Sequence, residues 1–113
     1  MNKWTKNTAA VLVAVLTLAV IMYAPCSSWA GAADDIYKSK CAMCHGPDGT
    51  GDTAMGKKLN IRNLKSKEVQ DMKDDQLTEI IVKGKNKMPG YDGKLKPAEI
   101  AQVVALIRTM AKK

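Results

Sequence analysis

Phenylalanine is absent from this 113-residue chain, and both tryptophans, Trp4 and Trp29, fall within its first thirty residues. Beyond residue 30 the only aromatic rings are those of Tyr37 and Tyr91. A domain built from that remainder lacks the large side chains that usually fill a core, so a buried prosthetic group is expected to take their place. The single histidine, His45, excludes chemistry that needs two imidazoles. No segment alternates polar and apolar residues over a strand's length, which argues against sheet structure. Internal repeats, low-complexity tracts and long charge blocks are also missing, which leaves one domain after the N-terminal segment.

That N-terminal segment has the layout of a secretory signal peptide. Lys3 and Lys6 precede an apolar run from Ala9 to Ala24, and the small and turn-forming residues Pro25 to Ala33 follow. The run makes about 24 Å of helix, short of the roughly 30 Å hydrocarbon core of a bilayer. A cleaved signal is therefore expected over an uncleaved anchor facing the periplasm. Pro25, just before Cys26, disfavours a lipid-attachment site. Cleavage is expected after Ala30 or Ala32, with residues 1–30 as signal and 31–113 as the mature domain. Processing removes Lys3 and Lys6 but none of the 11 acidic residues, so the formal charge falls from +7 to +5. A basic exported domain without a nucleic-acid motif fits an acidic protein partner better than nucleic acid.

The mature segment reads as helices joined by loops, an all-α fold. Asp34 is expected to cap a helix from Asp35 to about Met43. Gly46 to Asn63, punctuated by glycines and Pro47, reads as a wrapped loop. Ser66 to Met72 is expected as a short helix. Asp74 or Asp75 is expected to cap the next helix, which stops at Lys83-Gly84. A second loop, Lys85 to Lys96, leads to Pro97 at the first turn of a terminal helix. There Ile100, Val103, Val104, Ile107 and Met110 follow the spacing of a buried stripe.

The chemistry is carried by Cys41-Ala42-Met43-Cys44-His45, the C-x-x-C-H pattern of covalent haem attachment. Two thiols three residues apart can each add across a haem vinyl group, and the next residue's imidazole then meets the iron on one face. Structural zinc would need four protein ligands, whereas Cys41, Cys44 and His45 are the only cysteines and imidazole in the mature chain. A thioredoxin-type pair would want a βαβ setting, which the pattern does not provide. One haem c is the expected cofactor. For the second axial ligand two loop methionines compete, Met88 and Met55; Pro89 and Gly90 fix the backbone around Met88 and favour it. Met72 and Met110 read as core.

Cys41 to Gly51 (CAMCHGPDGTG), Met55 to Leu59 (MGKKL) and Gly84 to Tyr91 (GKNKMPGY) resemble class I c-type cytochromes, in particular the short bacterial monohaem cytochromes of the periplasm. The resemblance covers nearly the whole mature chain. It implies a compact helical wrap around the haem, with the first and last helices crossing beside it, His45 as proximal iron ligand and Met88 as distal ligand. Such proteins often carry a proline after the first loop whose carbonyl orients the proximal histidine; Leu59 to Leu64 has none.

With both axial positions filled, the expected function is one-electron transfer between redox partner proteins, not enzymatic catalysis. Ile61, Leu64, Leu77, Ile81, Leu95 and Ile107 are expected to bury the ring. Lys83, Lys85, Lys87, Lys94 and Lys96 are expected to offer a docking face to acidic partners. The domain is expected to be monomeric. The alternative is a haem enzyme or gas- or peroxide-binding protein with a labile Met88, disfavoured because no second histidine supplies an acid or base near the iron.

Overall fold

Asp34 does not cap a helix: it lies exposed in the middle of one, α1, which spans Ser28–Lys40. The computed structural model describes Leu12 and residues 28–113. The proposed signal segment thus lies outside the described residues except for Leu12 and its last three, and both expected cleavage bonds fall inside α1. The helix starts early because the small residues before Asp34 tolerate helical backbone, and because Ala33 and Tyr37, one turn apart, are buried together. It ends at Lys40, since Cys41 turns to φ −115° and starts a separate turn of helix, α2, Ala42–His45.

The expected wrapped loop contains a further helix, α3, Ala54–Leu59. Thr53 begins it, its hydroxyl accepting the Gly56 N–H at 2.8 Å. Asn60, at φ 51°, ends it in the left-handed conformation. Helix α4, Lys67–Gln70, is capped by the Ser66 side chain. Helix α5, Asp74–Lys83, has Lys73 rather than either aspartate at its cap position. Gln76 Oε1 accepts the Lys73 N–H at 2.8 Å, and Asp74 and Asp75 occupy the first turn, where the helix dipole favours negative charge. Gly84 stops it as expected. Helix α6, Pro97–Met110, has Pro97 at its start, and Glu99 accepts the Lys96 N–H at 2.7 Å.

Among the described residues there is no strand, only an isolated backbone bridge between Lys85 and Met88. The fold is all-α. All five residues of the α6 stripe are buried, and they join Val69, Leu77 and Ile81 in the core. Helix α1 packs across α6, and α5 packs on α6 from another side. Arg108 ties α6 to the α4–α5 connection: its guanidinium donates to the carbonyls of Gln70, at 2.8 Å, and Met72, and to Asp74 Oδ1 at 2.8 Å. These carbonyls lie just past the end of α4, where no helical donor reaches them. Core residues of α5 and α6, Leu77, Ile81, Val103 and Ile107, also line a cleft that Ile80 and residues around α2 help to enclose.

Candidate functional site

The segment from Cys41 to His45 is held from both ends. The N–H groups of Cys44 and His45 both bond to the Cys41 carbonyl, at 3.1 and 2.9 Å, winding one helical turn that sets Cys41 and Cys44 three residues apart on one side. Tyr37 Oη donates to the Gly46 carbonyl at 2.7 Å, just past the segment, and Tyr91 Oη donates to the Lys40 carbonyl at 3.0 Å, just before it. Thr53 Oγ1 donates to the Cys44 carbonyl at 2.9 Å. Gly56 packs directly beneath: an added Cβ would stand 2.7 Å from that same carbonyl oxygen. The glycine in α3 is thus what lets the helix lie against the attachment segment.

Burial shapes the chemistry of these groups. It pushes the Cys41 thiol up, with the neighbouring Cys44 adding to the shift. It pulls the His45 imidazole down, so the ring is neutral at pH 7 and keeps a lone pair to offer. The Tyr37 phenol lies well above its usual range, chiefly from burial. Tyr91 is raised too, by burial first and then by the charges of Cys41 and Cys44. Both cysteines are free and half-buried.

His45 faces an apolar cleft formed by two adjoining recesses. The larger, about 850 Å³ including its open mouth, runs from His45 past Ile61, Leu64, Met72 and Leu77 to Met88. The inner recess, about 550 Å³, adds Tyr37, Cys41, Ile81, Tyr91, Leu95 and Ile107. Both recesses share His45, Leu64, Leu77, Ile80 and Met88. All six residues expected to bury the ring line one recess or the other.

Met88 reaches the cleft on a tight turn. Lys85 and Met88 exchange backbone hydrogen bonds at 3.1 and 2.9 Å around Asn86, which takes φ 55°. Gly84, at φ 77°, packs so closely that a Cβ there would stand 2.7 Å from the Gly90 nitrogen, so the turn is pinned to the end of α5. Met55, the competitor, lines neither recess and is 39% exposed. Met43 points outward and is 75% exposed. Met72, expected as core filler, lines the larger recess as well as packing on the core. Cys44 does not line either recess, though Cys41 does.

One ring nitrogen tests whether these residues suit a haem. His45 Nδ1 is buried with no hydrogen-bond partner, and no carbonyl takes the role that the missing proline leaves open. Ligation through the other ring nitrogen would fix the proton on Nδ1 and leave it a donor without the acceptor such a histidine usually has, so the fit rests on the walls and the donor set. Among the described residues no cluster of three His, Cys, Asp or Glu could hold a bare metal ion. The apolar walls, the facing His45 and Met88 and the adjacent thiols fit a ligated haem.

Sequence reasoning missed Asn60, Arg62 and Asn86, which line the larger recess together with the expected Lys85 and Lys87. It also missed the two tyrosine clamps. The sole signal for them was that Tyr37 and Tyr91 are the only tyrosines, tryptophans or phenylalanines beyond residue 30.

A family model described as cytochrome C oxidase, cbb3-type, subunit III matches residues 30–107. Cytochrome c6 of Limnospira maxima is 32% identical over 85 residues, which cover 73% of this chain and 93% of that protein. Cytochrome c-555 of Methylococcus capsulatus is 38% identical over 66 residues, 57% of this chain, and the match spans about half of that protein, 47%. Among solved structures, the KustC0563 c-type cytochrome superposes with a TM-score of 0.64 at 30% identity, over 69% of this chain and 95% of that one.

Proposed function

We propose, on the premise that this chain belongs to the c-type cytochromes and so carries covalently bound haem c, that it is an exported one-electron carrier with Cys41 and Cys44 attaching the haem and His45 and Met88 as axial ligands. The reading is carried by one observation: His45 and Met88, 43 residues apart in sequence, line the same apolar cleft beside Cys41, while Met55 lines none of it.

Bound haem c supplies an iron centre that gains and loses one electron. The chain's own residues set the conditions for that exchange. The thiols of Cys41 and Cys44 fix the ring covalently and so fix its edge relative to the surface. His45, kept neutral by burial, offers its lone pair to the iron. The Met88 thioether, uncharged and a weak donor, favours the reduced state and raises the potential relative to a second imidazole or a thiolate. Leu64, Leu77, Ile81 and Ile107 keep water from the ring, which acts in the same direction. Two protein ligands leave no site for a substrate, so electron transfer is the chemistry and catalysis is not.

Lys85 and Lys87 lie exposed at the cleft mouth, with Lys94 and Lys96 exposed further along the chain, Lys94 over the Tyr91 ring at 6.0 Å. Lys83 is engaged by Glu79 at 2.7 Å and contributes less. This face suits acidic redox partners; raising ionic strength is expected to slow reaction with a partner, and a salt-independent rate excludes the docking face. Export to the periplasm rests on the N-terminal layout, and among the described residues no helix is long and apolar enough to cross a membrane. N-terminal sequencing of the mature protein is expected to begin at Gly31 or Ala33.

The deciding experiment is an absorption spectrum of the purified protein, oxidised and reduced. Haem c bands with the weak near-infrared band of methionine sulfur on ferric iron are expected. Haem bands without the sulfur band would remove Met88 as ligand and bring forward an open iron.

A further inference from the structure

Helix α1 ends in a way that leaves one acceptor without a helical partner. If the helix ran on, the Cys44 N–H would bond to the Lys40 carbonyl, but it bonds to the Cys41 carbonyl at 3.1 Å, the regular helix being interrupted at Cys41, whose φ is −115°. The Lys40 carbonyl is thus one of the orphan acceptors of a helix end. Its donor comes from the opposite side of the cleft, from Tyr91 Oη at 3.0 Å.

Tyr91 belongs to the wall that carries Met88. It lies three residues beyond that methionine, and its N–H is shared between the carbonyls of Ile81 and Val82, both at 3.0 Å, which ties it to the end of α5. Its ring lines the inner recess together with Cys41 and Met88. Among the described residues, the Tyr91 hydroxyl makes the one hydrogen bond between the segment 84–96 and the segment 36–46.

We propose that Tyr91 is a latch: a positioning residue whose hydroxyl ties the Met88 turn to the haem-attachment segment and so resists displacement of Met88 from ferric iron by an outside ligand. The inference rests on the reading of Met88 as the distal ligand. For an incoming ligand to replace the thioether, the turn must move away from the ring, and that movement draws Tyr91 Oη off the Lys40 carbonyl. The bond is reachable by solvent, so water satisfies both groups once it breaks. Its worth is therefore that of an ordinary neutral hydrogen bond, about a fivefold bias toward the closed turn, equivalent to about 1 kcal/mol. No electron or proton changes hands in the exchange: one neutral donor replaces another on the same oxidation state.

The test is a titration of the ferric holoprotein with imidazole, read by loss of the near-infrared sulfur band, in the parent and in Tyr91→Phe. The substitution keeps the ring and removes only the hydroxyl. The imidazole concentration for half-displacement is expected to fall about fivefold, while the free energy of global unfolding, followed by loss of helix in guanidinium, changes by less than the competition does. An unchanged half-displacement concentration overturns the latch. So does a fall matched by an equal loss of global stability, because that would mark the hydroxyl as a general support of the fold. If the parent itself shows no sulfur band, the assignment of Met88 fails and the latch fails with it; a parent band with unaltered competition removes the latch alone.

Discussion

Replacing Gly56 by alanine sets two effects of opposite sign against each other. Gly56 lies inside α3, where alanine is the better helix former by about 1 kcal/mol, and from propensity alone the change would stabilise. The structure places an obstacle there. The new Cβ would be driven into the Gly51 carbonyl oxygen, and would stand 2.7 Å from the Cys44 carbonyl oxygen and 2.9 Å from Thr53 Oγ1. Two of these three atoms are backbone and cannot swing aside as a side chain can. Overpacking of this kind costs about 1–3 kcal/mol or more, and the rigidity of the neighbours puts this case at or above the upper end. The net expectation is a loss of about 2 kcal/mol. For a domain of this size that lowers Tm by roughly 8–16 °C, read by far-UV circular dichroism on the holoprotein. The relief of strain should push α3 away from the attachment segment, weakening the Thr53 bond to the Cys44 carbonyl. An unchanged or raised Tm would refute the steric argument and show that propensity wins.

Arg108→Gln is expected to cost about 2 kcal/mol, because the carbonyls of Gln70 and Met72 lose a charged donor; Asp74→Asn, whose side chain is largely exposed, should cost under about 0.5 kcal/mol in the same denaturation assay. Val103→Ala removes two methyl groups at a site only 2% exposed and is expected to lower unfolding free energy by about 2 kcal/mol, by lost burial plus the cavity left behind. Stability should also fall above pH 10. The Tyr37 phenol is raised from 10.0 by burial, so the unfolded chain releases its proton first; the stabilisation is whole below pH 10 and declines as pH rises beyond it. Guanidinium midpoints from pH 8 to 11 measure this, and Tyr37→Phe should flatten the decline.

The local signals in this chain are strong where one residue type has one use. C-x-x-C-H, the Met-Pro-Gly after a short loop, Gly84 after a basic turn and Pro97 before a five-residue apolar stripe each constrain their surroundings, and Gly84, Pro97 and the stripe lie where those constraints would put them. Helix boundaries were less legible. Asp34 is a good cap by chemistry, yet α1 runs through it because Ala33 and Tyr37 are buried together, a contact that pattern alone does not reveal. Helix α3 hid among glycines whose density suggests a loop; Gly56 is there for close approach to the Cys44 carbonyl, not for a turn.

The sequence by itself determined the cofactor, the all-α class and the buried face of α6, because covalent attachment and helical periodicity are written in residue spacing. Only the tertiary structure decided which hydroxyls hold the attachment segment and that His45 Nδ1 stands without a partner. Those facts depend on where distant segments meet once α1, α5 and α6 are packed. Both methionines read as loop residues from the sequence, but Met55 lies in α3 and lines neither recess, and the path of the chain around the core brings Met88 to the cleft.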